Sequence, residues 1–299
     1  MVTIINALPG AVAQGLIWGI MAIGLFISYK ILDFADLTVD GSICTGACVL
    51  VVLVTAGVNV YVAMLLSFVA GLLAGLITSV FHTLMGIPPI LSGILTQLIL
   101  WSVNLKILGQ ANKALPSRNY DLIISSRDNL TAIVALLIVI AIIIGALYWF
   151  FGTERGSSIR ATGCNENMAR AQGINVKVNK IIALMLSNGI VALSGALLAQ
   201  YQGFADINMG RGAIVIGLAA IIIGVSVFSK FKNFALKLLS VAIGGVIYYL
   251  VYQTVIALGF DTDLLKMLSA IVVAIFLAVP YWKTRWFSKR KLKGEGENA

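Results

Sequence analysis

Two long stretches of this sequence carry no Asp, Glu, Lys or Arg. They are residues 1–29 and the 65 residues from 41 to 105. A helix of about 20 apolar residues crosses the roughly 30 Å hydrocarbon layer of a bilayer, so each stretch is long enough for one or more crossings. Only 11% of the 299 residues are charged, against about 25% in soluble domains. A water-soluble globular fold is therefore excluded, and the sequence predicts an all-α, polytopic transmembrane helical bundle.

The candidate membrane spans are found by cutting the chain at charges and at Gly, Pro and Asn. The segments are residues 10–29, 41–57, 60–82, 88–105, 131–151, 179–202, 212–228, 238–258 and 264–282. Segments 41–57 and 212–228 are short for a full crossing, which predicts broken or re-entrant helices. We expect eight to ten spans in a single transmembrane domain that covers residues 1–299.

The basic residues are distributed unevenly over the loops between these segments. If the C-terminal tail (residues 283–299) is cytoplasmic, Lys30, residues 152–180, residues 229–237 and the tail lie on the same side and hold 15 of the 21 Lys and Arg residues. The positive-inside rule predicts this bias for cytoplasmic segments. The net charge of +9 is thereby explained by orientation in the membrane, and no nucleic-acid partner is expected.

Glycine pairs at a four-residue spacing predict close helix packing. Gly15 with Gly19 and Gly71 with Gly75 are examples. In lipid, apolar side chains gain little by meeting each other, so small residues that let backbones approach are a main way to pack helices. We interpret these pairs as packing within the bundle, with a dedicated dimer seam as the alternative.

The sequence lacks the residues of several catalytic and metal sites. Its single histidine, His82, excludes a multi-histidine metal site and is interpreted as an interfacial residue. No Gly-Lys dipeptide occurs, so the chain has no phosphate-binding loop of the nucleotide-hydrolysing kind. Three cysteines do not predict a disulfide scaffold. We expect no catalytic residue, metal or cofactor, and any ATP hydrolysis must belong to another chain.

An acidic segment separates the first two apolar runs. Its carboxylates are followed by Gly and Ser, as expected for a helix break with acids at the start of the next helix. It is either a solvated cytoplasmic turn or an interrupted helix that lines a translocation path, because irregular backbone at membrane depth is tolerated beside a cavity. The candidate path or gate residues are Asp33, Asp36, Thr38, Asp40, Ser42 and, from the span 179–202, Asn188.

The loop of residues 152–177 has the sequence signals of an ordered element. Asn165 is suited to cap a short helix, Glu166 to stabilise the positive end of its dipole, and Gly173 to end it. Apolar residues such as Met168 occur among the charges. A docking element for a soluble partner accounts for this pattern better than a simple basic anchor. The candidate docking residues are Arg160, Asn165, Glu166, Met168, Arg170 and Gly173.

This loop and the acidic segment carry a family resemblance. The matching residues are Arg160-Ala161, Met168-Ala169, Gly173-Ile174-Asn175, Ser194 to Leu198 with Gln200, Gly203 and Gly210, and the stretch from Ile31 to Ser42 with Gly46 and Ala47. With them the chain resembles the membrane-spanning permease subunit of bacterial ABC importers in the branched-chain amino acid and ribose permease group. The resemblance covers most of the chain from about residue 10 to 282.

The resemblance implies a transporter in the bacterial cytoplasmic membrane. It implies a second permease copy (a homodimer), two cytoplasmic ABC ATPase subunits and an extracellular or periplasmic solute-binding protein. Residues 156–175 would then be the coupling helix. The chain has Asp36 and Thr38 where branched-chain amino acid permeases of the group carry a His and a Glu. By resemblance, the subgroup with Asp-Leu-Thr-Val-Asp-Gly transports amino acids, including aromatic ones.

Two other functions are compatible with the residues alone. The first is a secondary transporter driven by an ion gradient, in which Asp33, Asp36 and Asp40 bind protons or cations. The second is a membrane scaffold or receptor subunit that transports nothing. A co-purifying ATPase favours the importer, whereas uptake by the chain alone in ATP-free liposomes favours the secondary transporter.

Overall fold

The computed structural model describes residues 2–116, 120, 122–228, 233–257, 267, 270, 271, 274 and 278. These residues are mostly helical. The helices are α1 (Val2–Phe26, continued by a π-helical turn, Ile27–Ile31), α2 (Val39–Thr55), α3 (Val60–Thr83), α4 (Pro89–Leu108), α5 (Asn129–Gly152), α6 (Glu154–Cys164), α7 (Glu166–Ala171), α8 (Val176–Gln202), α9 (Ala213–Val227) and α10 (Phe234–Ala257). The strands are β1 (Asn112–Ala114) and β2 (Phe204–Asp206).

The prediction of a polytopic helical bundle is confirmed. Six helices in the described residues, α1, α3, α4, α5, α8 and α10, are long and apolar enough to cross a membrane. The two segments predicted to be short are the 17-residue α2 and the 15-residue α9. The predicted span 264–282 and the basic tail 283–299 lie essentially outside the described residues, so the number of spans stays a prediction.

The bundle is built around α8, which packs against α1, α2 and α3. On the other side of α1, α10 packs against both α1 and α9. A side chain at Gly71 or Gly75 would run into the backbone of α8, and one at Gly15 or Gly19 into the backbone of α10. The interpretation of these glycines as packing within the bundle is therefore confirmed.

This close approach predicts the effect of enlarging one glycine. Gly75→Val would drive a side chain into the Leu184 carbonyl of α8, and overpacking of this kind costs about 2 kcal/mol. We expect a lower thermal midpoint in detergent, measured by fluorescence-detected size exclusion. Gly145→Val is the matched control, because a Cβ added there would meet no described atom within 4 Å apart from the surrounding turns of its own helix. Equal midpoints for the two variants would contradict the packing described.

The two strands are an addition to the all-α prediction. They pair antiparallel, with Asn112 opposite Asp206 and Ala114 opposite Phe204. The pair joins the chain after α4 to the chain after α8, at the end of the bundle where α5 begins. A strand of three residues is too short to show the alternation of apolar and polar residues that identifies a strand in a sequence.

Candidate functional site

The acidic segment is an interruption between α1 and α2 that ends inside the bundle. The chain leaves α1 at Ile31 and reverses through Asp33, whose φ of +56° is left-handed. Gly41 then packs against the middle of α4, at Gln97 and Leu100. α2 therefore begins beside the middle of α4, within the bundle. The segment is therefore an interruption between two helices, and its role as a translocation path stays a prediction.

A buried hydrogen-bonded network joins this interruption to α8. Asp36 is 1% exposed, and its carboxyl accepts hydrogen bonds from the backbone N–H of Thr38 (2.9 Å) and from Nδ2 of Asn188 (2.7 Å). The Asn188 side-chain oxygen in turn accepts from the Ser42 hydroxyl at 2.6 Å. Four of the predicted path residues therefore meet in a single buried cluster, although Asn188 lies 152 residues after Asp36.

A chain of hydroxyls extends this cluster to α3 and α4. The Thr38 and Thr78 hydroxyl oxygens are 2.6 Å apart, and Thr78 donates to Thr96 at 3.0 Å. All three side chains are buried. The start of α2 is thus tied by hydrogen bonds to three other helices, which holds the interruption in a defined position.

Asp40 has a different role from the other two aspartates. Its carboxylate oxygens accept hydrogen bonds from the backbone N–H groups of Gly212 (3.0 Å) and Ile214 (2.9 Å), at the N-terminus of α9. Capping of this kind satisfies helix donors that otherwise have no partner. The N-termini of both short helices meet at this residue. Asp33 is exposed and Asp36 is buried in its own network, so the three acids do not form one cluster.

The loop of residues 152–177 contains two helices, of which the sequence predicted the second. Asn165 caps α7 by accepting from the Met168 N–H at 3.0 Å, and Gly173 ends the element with a φ of +76°. Both predictions are confirmed. α6 packs against the bundle. Gly163 lies against the Ile31 carbonyl, and Ile159 is fully buried.

The side chains of α6 and α7 divide into an inner and an outer set. Arg160 extends back to the Phe151 carbonyl and lies over the rings of Phe151 (5.8 Å) and Phe234 (5.4 Å). Met168 is 63% exposed and the Arg170 side chain 61% exposed. Arg160 therefore contacts its own bundle, whereas Met168 and Arg170 are among the exposed residues of the loop and extend away from the bundle contacts.

Glu166 connects the outer set to the membrane helices. Its carboxylate accepts from Lys180 of α8 at 2.9 Å and from Arg170 at 2.6 Å. The hydrogen bond from Lys180, reinforced by the two positive charges, lowers the pKa of the Glu166 carboxyl. The carboxyl is therefore ionised at neutral pH, and the contact weakens only as the pH falls through that lowered pKa.

Lys180 also contacts His82 at the end of α3. Its Nζ lies 3.1 Å from His82 Nε2, while His82 Nδ1 lies 2.8 Å from the Ile87 carbonyl oxygen. A carbonyl only accepts, so Nδ1 carries the proton and Nε2 accepts from the ammonium. The His82 ring also meets Phe34 edge-on, with centroids 5.1 Å apart. Side chains thus connect α7 to the interruption after α1.

The branched-chain amino acid transport system permease component family matches residues 8–279 of this chain. The chain belongs to this family. A tyrosine transport system permease protein of Clostridioides difficile (strain R20291) is 38% identical to the permease over 273 residues, 91% of each chain. An uncharacterized protein of Rickettsia prowazekii (strain Madrid E) is 34% identical over 276 residues, 91% of the permease and 97% of that protein.

A more distant relative covers part of the permease. The autoinducer 2 import system permease protein of Escherichia coli (strain K12 / DH10B) is 30% identical over 193 residues, 62% of the permease and 54% of that protein. No solved structure matches the permease. The resemblance to an ABC importer permease is confirmed by the family match and by the tyrosine transport system permease protein of Clostridioides difficile.

The sequence did not point to Lys180, Thr78 or Thr96 as members of these networks. Lys180 lies among the basic residues at the end of the 152–180 loop, and the threonines lie in apolar spans where they resemble ordinary small packing residues. A polar residue within a span was the available signal. The signal is stronger for Asn188, because an amide is costlier to bury without a partner than a hydroxyl that bonds to its own helix.

Proposed function

We propose that this permease is the membrane-spanning subunit of an ATP-driven importer for an amino acid or a related compound. It would act with a second copy of itself, two cytoplasmic ABC ATPase subunits and an extracellular or periplasmic solute-binding protein. Family membership supports the transport role, and the name of the tyrosine transport relative supports an aromatic amino acid as the solute. The permease itself supplies no catalytic residue.

The observation that carries this proposal is the exposed surface of α7. An apolar side chain, Met168, stands open to solvent beside Arg170 on a short capped helix, while Gly156, Ile159 and Thr162 of α6 are buried against the bundle. Met and Arg are both enriched in protein–protein contacts relative to the rest of a protein surface. We assign Arg160, Asn165, Glu166 and Gly173 to holding this helix in place, and Met168 and Arg170 to contacting the ATPase.

The interrupted helices support a path through the bundle near Asp36 and Asp40. Discontinuous helices that begin at mid-depth are typical of transporter sites, because they present backbone groups and helix ends inside the bundle. We assign Asp36, Thr38, Ser42 and Asn188 to the gate that moves with α2, Asp40 to the joint between α2 and α9, and Asp33 to the entrance of this region. Conversion between two states would open it to opposite sides.

The separation of the three aspartates favours the importer over an ion-driven carrier. Asp36 and Asp40 are engaged by different backbone and amide donors, and Asp33 is exposed. Uptake by reconstituted permease, ATPase and binding protein should require ATP. Uptake by the permease alone, driven by an ion gradient in ATP-free liposomes, would overturn the proposal.

Cysteine labelling tests the side on which α6 and α7 lie. Cys164 is exposed at the end of α6, while Cys44 and Cys48 are buried in the bundle. We expect a membrane-impermeant maleimide to label inside-out vesicles strongly and intact cells or spheroplasts hardly at all. Cys164→Ser should abolish the signal. Labelling from the outside would place the loop on the wrong side for an ATPase.

Substitution at Met168 tests docking. Met168→Asp is expected to lower co-purification of the ATPase by about tenfold or more, since a carboxylate would be desolvated at the centre of the contact. Met85→Asp is the matched control, because Met85 is 64% exposed in the loop before α4. Both variants should remain membrane-inserted and monodisperse. Retained association in Met168→Asp would remove the assignment of α7.

A further inference from the structure

A cavity of about 240 Å³ opens between α2, α4 and the segment that precedes α9. It is smaller than the pockets of about 300–1,000 Å³ that hold drug-sized ligands, so a small solute suits it. Its walls include Asp40 from α2, Gln97, Trp101 and Asn104 from α4, and Arg211 from the segment before α9. The cavity lies beside the buried network described above and shares none of its side chains.

Asn104 is the residue of this cavity whose bonding is incomplete. The side chain is 0% exposed, and its Nδ2 donates to the Gly41 carbonyl at 3.4 Å. Its Oδ1 has no hydrogen-bond partner among the described residues. Leaving a buried acceptor without a donor costs about 1–3 kcal/mol. The side chain borders the cavity but its Oδ1 is closed to solvent, so a solute N–H donor would supply the missing partner once the side chain turns toward the cavity.

The cavity also carries both signs of charge. Each Asp40 oxygen accepts one backbone hydrogen bond, and a carboxylate has lone pairs for more. Arg211 forms no ion pair within the described part of the chain, and its guanidinium can donate two parallel hydrogen bonds to a carboxylate.

The remaining wall is apolar and aromatic. Trp101 is 42% exposed and lines the cavity on α4. An indole face stacks favourably on aromatic rings and covers apolar groups. The cavity therefore combines charged groups and an apolar aromatic surface in one small space.

We propose that this cavity binds a zwitterionic amino acid during transport. Asp40 and Asn104 Oδ1 would receive the ammonium group, Arg211 the carboxylate, and Trp101 an apolar or aromatic side chain. The site rests on the proposed function, because it assumes that the solute of this permease enters the bundle as an amino acid.

Saturation-transfer NMR on the full permease in lipid nanodiscs, without ATPase, tests the site. The probes are L-tyrosine, tyramine, which lacks the carboxylate, and p-hydroxyphenylpropionate, which lacks the ammonium group. We expect L-tyrosine to bind. Each of the other two probes should bind at least about tenfold more weakly, because each lacks the hydrogen bonds of one charged group. Equal binding of all three, or of none, would overturn the proposal.

Two substitutions test which residues bind the carboxylate and which bind the ammonium group of the solute. Arg211→Gln should weaken L-tyrosine by about tenfold and leave tyramine unchanged, because tyramine never used the guanidinium. Asn104→Leu should weaken both ammonium-bearing probes without lowering the thermal midpoint, since it removes an unsatisfied acceptor and the Gly41 carbonyl keeps its bond from Thr45. Equal weakening of tyrosine and tyramine by Arg211→Gln, or unchanged binding in both variants, would refute the assignment.

Gln200→Leu is the matched control for Asn104. Gln200 is also buried with an unpartnered amide atom, but it lies on α8 and is not part of the cavity wall. The Gln200→Leu permease should bind each probe as strongly as the wild type does. If the probes behave as expected while no ATPase associates with the permease, the site stands and the proposed function fails. If ATP-driven uptake holds and the variants bind normally, the function stands and the site fails.

Discussion

Replacing Asn188 by leucine is expected to lower the free energy of unfolding by about 3 kcal/mol and to abolish uptake. The substitution removes the donor to the Asp36 carboxyl and the acceptor of the Ser42 hydroxyl. Breaking one partner of a buried polar or charged pair costs more than the pair contributed, because the other partner remains desolvated. Thermal and denaturant unfolding in detergent would measure the loss.

Two comparisons separate this effect from simple loss of an amide. Asn179→Leu is the matched control, since Asn179 is buried on the same helix but bonds to the neutral hydroxyls of Ser158 and Thr162. It should cost about 1 kcal/mol. The double variant Asp36→Val with Asn188→Leu should recover part of the stability, because both partners are then apolar. A loss no larger than that of Asn179→Leu would show that Asp36 does not depend on Asn188.

The positions of the membrane helices were largely predictable, because lipid imposes a simple requirement. Every backbone group must be bonded within the helix, and about 20 apolar residues are needed for a crossing. The charge-free segment 131–151 becomes α5 (Asn129–Gly152), and segment 212–228 becomes α9 (Ala213–Val227). Shortness alone also indicated that α2 and α9 are unusual, since neither run reaches across a bilayer.

The partners of the acidic residues were not predictable from their own segment. Asp40 lies in the first turn of α2, where the sequence indicated a cap for that helix, yet its oxygens cap α9. Asp36 meets Asn188 only because α8 passes the interruption at mid-length. A local signal marks a residue as polar and costly to bury, and the tertiary arrangement decides which donor satisfies it.

The helix α6 was not predictable for a different reason, namely that its local sequence disfavours a helix. Its sequence contains Gly156 and Gly163 and two serines, which are poor helix formers, so helix propensity does not indicate a helix over residues 154–164. Tertiary packing overrides this preference. A side chain at either glycine would run into backbone, of Phe151 in one case and Ile31 in the other. The glycines are therefore present for close approach to the bundle, which a propensity scale does not report.

Lys180→Met is expected to separate ATP hydrolysis from transport. Lys180 is 15% exposed in its side chain and joins Glu166 of α7 to His82 of α3, while α7 keeps its own pair between Glu166 and Arg170. Docking should therefore persist, and movement of α7 should reach the bundle less effectively. A coupling free energy of about 1.4 kcal/mol, within the usual range for allosteric coupling, corresponds to a change of about tenfold. We expect uptake to fall by that factor while ATP hydrolysis by the reconstituted complex continues.

Lys177→Met provides the comparison, because Lys177 is exposed on the first turn of the same helix and forms no ion pair in the part of the chain that the structure describes. Its ratio of uptake to hydrolysis should equal that of the wild type. Lys180→Arg retains a charge beside Glu166 and should restore part of the ratio. If hydrolysis and uptake fall together in Lys180→Met, the contact serves assembly with the ATPase. The transmission of movement would then depend on the backbone between α7 and α8 rather than on this side chain.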